Sequence, residues 1–351
     1  MTDIPGSVAE LTPEFFTRAL DRDVTTVTVL DQHTGTTGRA RVALSGEPTV
    51  PHSVFVKLAP FTSEQRTMVD ATGMGVAEAR FYREVASELP VRVPRVHHAA
   101  TDGHAYVMVL EDIVASGCTF PRPKDPQAAA RALDIARQMA VLHAAYWESD
   151  RFAGASNGDL AWIADRSAVR DDGGRGLVEQ ALTMFGAEMG DSFVRVAEFY
   201  LEHTDAIRAL LRSGPRTLTH GDAHLRNLFV DPALGDRTGF LDWACVGTGP
   251  GIADVAYVLT SSVPRELCAT IEADIVQTYC DDLGAQGIAS TFEETWTLYR
   301  AHTFTPWVAC AVSAAMGSKW QPSAVALNAT RFATAACTDL DGIGAVRSLL
   351  A

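Results

Sequence analysis

The chain has 351 residues, 47% of them hydrophobic and 21% charged, a make-up typical of a folded globular protein long enough for two lobes or domains. Its 43 acidic and 29 basic residues give a formal charge of −14, which argues against a nucleic-acid groove or an anionic membrane surface as its main partner. The six cysteines are scattered, with no CxxC pair and no zinc-type Cys/His spacing, as expected of buried thiols in a reducing cytoplasm.

Met1 to Pro5 lack the basic segment and apolar core of a signal peptide, so the expected location is cytoplasmic. Leu11 to Phe16 open a first helix, with Thr12 suited to cap it and Pro13 to its first turn. Val24 to Leu30 are rich in β-branched residues and predict a strand. The glycine-bearing loop Thr34-Gly35-Thr36-Thr37-Gly38 follows, then a second strand from Arg39 to Leu44. Ser53 to Leu58 form a third strand, with Lys57 inside an apolar run. Strand, glycine-bearing turn, strand and lysine-bearing strand is the order of a kinase small lobe.

Gly75 to Leu89 are helical by pattern, with Ala77, Phe81 and Val85 recurring at fours and Glu78 and Tyr82 beside them. Val93 to Val96 lead to another strand, and Ala105 to Leu110 form a strongly apolar strand ending at Glu111-Asp112. Polar, proline-bearing sequence from Ser116 to Pro126 marks a lobe boundary, with the hinge at 110–113. The expected division is therefore an N-lobe over 1–112 and a C-lobe over 113–351.

Pro126 to Trp147 predict a long helix, residues 150–175 a partly loop-like segment, and Gly176 to Leu211 further helix. Thr217 to Trp243 read as strand, loop, strand, turn, strand. From Ile252 onward the pattern is helical, including Asp254 to Ser261 and Phe292 to Ser318. The weakly charged run from Ala301 to Ser318 contains Pro306 and Gly317 and reads as a buried helix, not a membrane span.

The densest chemical signal is His220-Gly221-Asp222-Ala223-His224-Leu225-Arg226-Asn227, followed by Gly239-Phe240-Leu241-Asp242-Trp243. Phosphoryl transfer from a metal-bound nucleotide needs such a set: a carboxylate to orient a hydroxyl, and an amide and a carboxylate to hold metal. Asp222 suits the first task, and Asn227 and Asp242 suit the second with hard oxygen donors. His220 fits a bracing role on the loop. A hydrolase-type metal cluster at His220, Asp222 and His224 would need further ligands, and no second cluster is evident.

A lysine in the middle of Val54-Phe55-Val56-Lys57-Leu58 is costly unless its charge is paired. Glu78 is the favoured partner, with Glu84 and Glu88 as competitors. Gly35, Thr36 and Gly38 lie in a loop that could cover phosphates with backbone N–H groups. His143 reads as a core helix histidine with one bonded nitrogen, and Asp254 as a helix cap or a brace for the Asp222 loop. Trp243, Trp307 and Trp320 read as core by default, with a substrate pocket as the alternative.

Together these segments resemble the aminoglycoside phosphotransferase and choline kinase-like superfamily, which shares the protein kinase architecture. The carrying segments are Glu78 to Tyr82, Val109 to Asp112, Leu142-His143-Ala144, His220 to Asn227, Leu241 to Trp243 and Asp254 to Tyr257. The match is closest to the ecdysteroid kinase-like branch and its bacterial relatives. The resemblance implies a bilobal α+β fold, with an antiparallel sheet and one main helix in the small lobe and a mostly helical large lobe. It also implies an ATP-dependent, Mg²⁺-requiring transfer to a small-molecule hydroxyl. By the same resemblance Asp222 is the catalytic base, Asn227 and Asp242 hold Mg²⁺, and Lys57 with Glu78 positions phosphates. Glu111 and Ile113 would offer backbone hydrogen bonds to adenine. The loop at 34–38 is shorter in glycine than the family pattern.

A catalytically inactive nucleotide-binding relative is the alternative, and the presence of Lys57, Asp222, Asn227 and Asp242 counts against it. A protein kinase is disfavoured because Leu241-Asp242-Trp243 replaces Asp-Phe-Gly and no Ala-Pro-Glu segment follows. For the acceptor, a cationic aminoglycoside would want the carboxylates Asp281, Asp282, Glu293 and Glu294. An apolar or hydroxylated natural product would want the surface of Phe304, Trp307 and Val308, and the branch resemblance favours it.

Overall fold

The computed structural model describes residues 4–122, 125–153, 160–169, 174–317 and 322–351. The chain packs as two units. One comprises the residues up to Phe120 and returns for Asn227–Val246; the other comprises Pro121–Arg226 and Gly247–Ala351. The chain passes between the two units three times.

The first unit opens with α1 (Pro13–Leu20), capped as expected by Thr12, whose hydroxyl accepts from the Phe15 N–H at 3.3 Å. Five strands follow: β1 (Val24–Thr34), β2 (Gly38–Gly46), β3 (Ser53–Leu58), β4 (Val96–Thr101) and β5 (Tyr106–Glu111). They pair antiparallel in the order β1-β2-β3-β5-β4. Strand periodicity then sorts the side chains. Ala40, Val42 and Leu44 of β2, Val54, Val56 and Leu58 of β3, and Val107 and Val109 of β5 pack in one core with Phe15 and Phe16 of α1. Arg39, Arg41 and Lys57 alternate with them and take the other face. Between β3 and β4 lie α2 (Ser63–Asp70), which the sequence reading did not anticipate, and α3 (Met74–Glu84), which is shorter than the expected helix and ends in a 3-10 turn at Ala86–Glu88.

In the second unit α4 (Ala128–Ala145), α5 (Ala161–Val169), α6 (Gly174–Met189), α7 (Asp191–Glu202) and α8 (Thr204–Leu211) precede the short strand β6 (Thr217–Thr219). The chain then returns to the first unit as the hairpin β7 (Leu228–Asp231) and β8 (Arg237–Phe240). Backbone bridges from Thr119 to Val230 and from Arg92 to Gly239 tie this hairpin into that unit. Arg92 reinforces the tie by binding Asp231 at 2.8 Å and both Glu111 carboxylate oxygens at 2.8 and 2.9 Å. The second unit resumes at β9 (Gly247–Gly249), paired to β6, and ends with α9 (Ile252–Ser262), α10 (Arg265–Ala285), α11 (Phe292–Ala301), α12 (Phe304–Met316), α13 (Ser323–Asp339) and α14 (Gly342–Leu350).

This is the expected α+β class, an antiparallel sheet followed by helices. Two helical stretches divide where backbone chemistry requires it. Gly176 to Leu211 break at Gly190, which has φ of 84°, and again at His203. The run from Phe292 breaks at His302-Thr303, because Pro306 has no N–H and fits a helix only in its first turn; Ser318 lies outside the described residues. In the 150–175 segment the structure has a 3-10 turn at Asp150–Ala153, all of α5 and the start of α6, while 154–159 and 170–173 lie outside the described residues. Among the described residues no helix is long and apolar enough to cross a membrane.

The core of the second unit corrects one expectation. Phe304 and Trp307 are fully buried and pack with Phe193, Val196 and Tyr200. The Trp307 indole N–H donates to Thr334 Oγ1 at 3.0 Å, so even its polar edge is satisfied internally. These two rings form core, not the proposed apolar acceptor surface; Trp320 lies outside the described residues. Trp307→Ala is expected to cost about 3–5 kcal/mol of stability, read from the urea midpoint. An unchanged midpoint would return Trp307 to a pocket.

Candidate functional site

In the first unit the site grows from Lys57. The residue is 4% exposed, and its Nζ sits 2.6 Å from both carboxylate oxygens of Glu78, with hydrogen-bond geometry to Oε1. Glu78 is fully buried on the inner face of α3. The competitors are elsewhere: Glu84 is engaged by Arg80 and Arg83, and Glu88 is exposed. Lys57 Nζ also lies 3.2 Å from Asp242 Oδ1, and Arg39 Nη2 lies 3.4 Å from Asp242 Oδ2.

Asp242 reaches this cluster because its neighbour is anchored. Trp243 stacks on Phe81, one turn along α3 from Glu78, with ring centroids 4.3 Å apart and 13° between planes. Asp242 itself takes left-handed backbone, φ 58°, a conformation that aspartate tolerates better than most residues and that concentrates at functional sites. Burial pushes the Glu78 carboxyl up to about 7, with Lys57 pulling the other way.

Asn227 belongs to the same unit. It ends a 3-10 turn immediately before β7 and is 7% exposed. Leu228 pairs with Phe240 across the hairpin, and the Leu241 N–H donates to Asn227 O at 2.8 Å. The hairpin therefore brings Asn227 and Asp242 to the same end. One amide and one carboxylate are hard oxygen donors suited to Mg²⁺, which usually takes one or two protein ligands and completes its shell with phosphates and water. Among the described residues there is no cluster of three or more His, Cys, Asp or Glu able to hold a metal alone.

The glycine-bearing loop makes packing and hydrogen-bond commitments of its own. Gly35 donates its N–H to Thr37 O at 3.1 Å, within the loop. Gly38 is needed for packing: a Cβ there would fall 2.4 Å from the Phe61 ring and 2.6 Å from Ala59 O. Thr36 lies at the tip, and Thr37 is buried and accepts from Arg39 Nε at 3.1 Å. In the segment expected to be the hinge, the Glu111 N–H donates to Arg95 O at 2.8 Å, and Ile113 O accepts from the Cys118 N–H at 3.0 Å. The Glu111 side chain is held by Arg92, and Asp112 is locked by Arg41 at 3.0 Å and Ser53 at 2.9 Å.

In the second unit Asp222 lies on the loop after β6. Asp254, at the start of α9 and 2% exposed, braces that loop: its Oδ2 accepts from the His220 N–H at 2.6 Å and its Oδ1 from the Gly221 N–H at 2.9 Å. Burial opposes its charge, but hydrogen bonding to His143, the nearby His143 and His220 and the Gly221 N–H hold its carboxyl below the usual range. His143 has both ring nitrogens engaged, Nδ1 with Tyr279 Oη at 2.9 Å and Nε2 with Asp254 Oδ2 at 3.4 Å, where one bonded nitrogen was expected. His220 Nδ1 accepts from the Asp222 N–H at 3.3 Å, a bracing geometry.

The sequence reading missed two polar partners. The Tyr257 hydroxyl donates to Asp222 Oδ1 at 2.7 Å, and His224 Nε2 lies 3.6 Å from Asp222 Oδ2. Tyr257 was visible one helical turn after Asp254 on α9. Arg39 was missed as well, although it directly follows the glycine loop.

The phosphotransferase enzyme family model matches residues 42–330. Among solved structures, a Ralstonia eutropha JMP134 protein assigned to the aminoglycoside phosphotransferases aligns with a TM-score of 0.55 at 14% identity, over 96% of this chain and 97% of that one. Choline kinase from Cryptosporidium parvum Iowa II gives 0.53 at 12%, over 99% and 93%. Choline kinase LicA from Streptococcus pneumoniae gives 0.52 at 12%, over 93% and 97%. At these identities the likeness speaks to fold alone. Compared with curated proteins, the chain finds no significant match.

Removing Lys57 tests the buried pair. With its cation gone, Glu78 must be protonated to remain buried, so its folded-state value rises further above its unfolded one. Such a raised carboxyl stabilises the fold at low pH and loses that contribution as pH rises through its folded value. Lys57→Met is therefore expected to be more stable at pH 6 than at pH 8 in urea denaturation. It should lose about 3–5 kcal/mol relative to the parent at pH 8. Equal losses at both pH values would contradict the buried pairing.

Proposed function

The chain belongs to the phosphotransferase enzyme family, and on that footing we propose that it moves the γ-phosphoryl group of ATP to a hydroxyl of a small molecule. The observation that carries this reading is Lys57, buried and shared between Glu78 and Asp242. A buried ammonium held against two carboxylates on the central strand of the sheet is a ready counter-charge for phosphate oxygens.

In the proposed reaction Lys57, oriented by Glu78, binds the α- and β-phosphates. Asn227 and Asp242 would hold Mg²⁺, which when bound neutralises charge on the phosphate oxygens. Glu111 C=O and Ile113 N–H are the backbone groups proposed to meet adenine; the Glu111 N–H and Ile113 C=O are already bonded within the protein. Asp222 accepts a hydrogen bond from the acceptor hydroxyl and aims its oxygen at the γ-phosphorus. The new O–P bond forms as the bond to the β-phosphate oxygen breaks, ADP leaves, and the hydroxyl proton passes to the Asp222 carboxylate. Tyr257 fixes the rotamer of that carboxylate through its 2.7 Å hydrogen bond. Asp254 fixes the loop backbone beneath it.

The acceptor is proposed only at the level of a hydroxyl-bearing small molecule. Phe304 and Trp307 are consumed by the core. Of the carboxylates considered for a cationic acceptor, Glu294 is engaged at the N-terminus of α11, where its side chain accepts from the Thr291 hydroxyl at 2.8 Å. Asp281, Glu293 and the half-buried Asp282 remain as side chains that could attract one.

The test is an ATP-consumption screen across aminoglycosides, macrolides, sterols and hydroxy acids, run beside Asp222→Asn. Turnover with at least one acceptor is expected, falling by about 10²–10⁴ in the variant with MgATP binding retained. Absence of both MgATP binding and turnover in the parent would end the kinase reading, and equal turnover by the variant would end the role of Asp222. Tyr257→Phe should lower kcat by about tenfold with little change in the acceptor KM, as loss of one charge-assisted hydrogen bond predicts. A rise in KM at constant kcat would make Tyr257 an acceptor contact instead.

A further inference from the structure

Arg39 and Lys57 are direct cross-strand partners in the β2–β3 ladder, so their side chains stand on the same face of the sheet. Like charges placed opposite each other destabilise a sheet unless anions lie between or beside them. Here the compensation is Asp242, whose two oxygens are divided between them: Oδ1 at 3.2 Å from Lys57 and Oδ2 at 3.4 Å from Arg39. Glu78 serves only the lysine directly.

The two cations differ in accessibility. The Lys57 side chain is 5% exposed, whereas those of Arg39 and Asp242 are 31% and 26% exposed. Arg39 is also tethered from the loop side, because its Nε donates to the buried Thr37. Its guanidinium is thus fixed at its base, on a side chain partly open to solvent, and paired with the carboxylate of the cluster that a metal would claim.

We propose that Arg39 is a second phosphate-binding cation, exchanging Asp242 for the β- and γ-phosphates of the incoming nucleotide. The exchange conserves the number of ion pairs. The guanidinium leaves one carboxylate oxygen and gains phosphate oxygens, which it can meet with two parallel N–H groups. Asp242 is released for metal in the same step, so nucleotide and metal favour one another's binding. In this chain the arginine makes up for a loop in which Gly35 spends its N–H internally.

This inference rests on the proposed nucleotide reaction, and calorimetric titration separates the two. ATP with Mg²⁺ and adenosine are each titrated into the parent, Arg39→Gln and Arg39→Lys, with urea midpoints as the control for folding. Arg39→Gln is expected to weaken MgATP by about 10- to 100-fold while leaving adenosine within about twofold. Arg39→Lys should fall between parent and Arg39→Gln, since it keeps the charge and loses the fork. Unchanged MgATP affinity in Arg39→Gln, beside a parent that binds MgATP, overturns the role of Arg39 and leaves the kinase reading standing. Equal weakening of adenosine and MgATP overturns it too, by making Arg39 a structural support. A parent that binds neither ligand sinks the kinase reading and this inference with it.

Discussion

A lysine that cannot be left alone organises the first unit. Strand alternation turns Lys57 away from the apolar core, yet leaves it almost wholly buried, where an unpaired ammonium would be severely destabilising. Glu78 on α3 and Asp242 beyond β8 answer it. Those two contacts fix the helix and the turn after the hairpin relative to the sheet. The Phe81–Trp243 stack makes the second contact geometrically reliable, since it pins the residue next to Asp242 against the helix that carries Glu78. One electrostatic demand therefore accounts for the inward face of α3 and the strained backbone at Asp242.

The second unit has a parallel constraint of its own. Asp254 is buried, charged and spent on two consecutive backbone N–H groups of the Asp222 loop, with His143 and Tyr279 behind it. A carboxylate with this many donors is costly to disturb, so the loop conformation inherits the rigidity of α4, α9 and α10. Asp222 itself is less buried and is steadied by Tyr257. The division suits the proposed transfer chemistry: Asp254 holds the loop backbone, and Tyr257 steadies the side chain proposed to act as base.

Much of this was legible in the sequence, for reasons that differ by residue. Lys57 announced a partner because charge inside an apolar strand is unaffordable without one, and Glu78 followed from helix spacing. The strand at Ser53–Leu58 was legible to its ends because alternation and β-branching coincide there. The roles assigned to Asp222, Asn227 and Asp242 came from motif spacing and remain proposals. Other features depended on tertiary packing that no local pattern encodes. The hairpin's membership of the first unit rests on Arg92, Thr119 and Gly239, residues remote from one another in the chain. That Gly38 must also leave room for the Phe61 ring was not visible in the sequence. Phe304 and Trp307 were readable either as core or as the surface for an apolar acceptor, because aromatic residues carry no sign of which side of a helix meets the core. Arg39 passed unnoticed because its significance lies in its cross-strand register with Lys57.

The central claim is that the Lys57 cluster receives a metal-bound nucleotide triphosphate, and the most direct measurement is MgATP affinity in Asp242→Asn against the parent, with and without Mg²⁺. The account predicts that Mg²⁺ strengthens ATP binding in the parent and that the variant loses this metal dependence while still binding ATP. A parent indifferent to Mg²⁺, or a variant with the parent's full metal dependence, would contradict it.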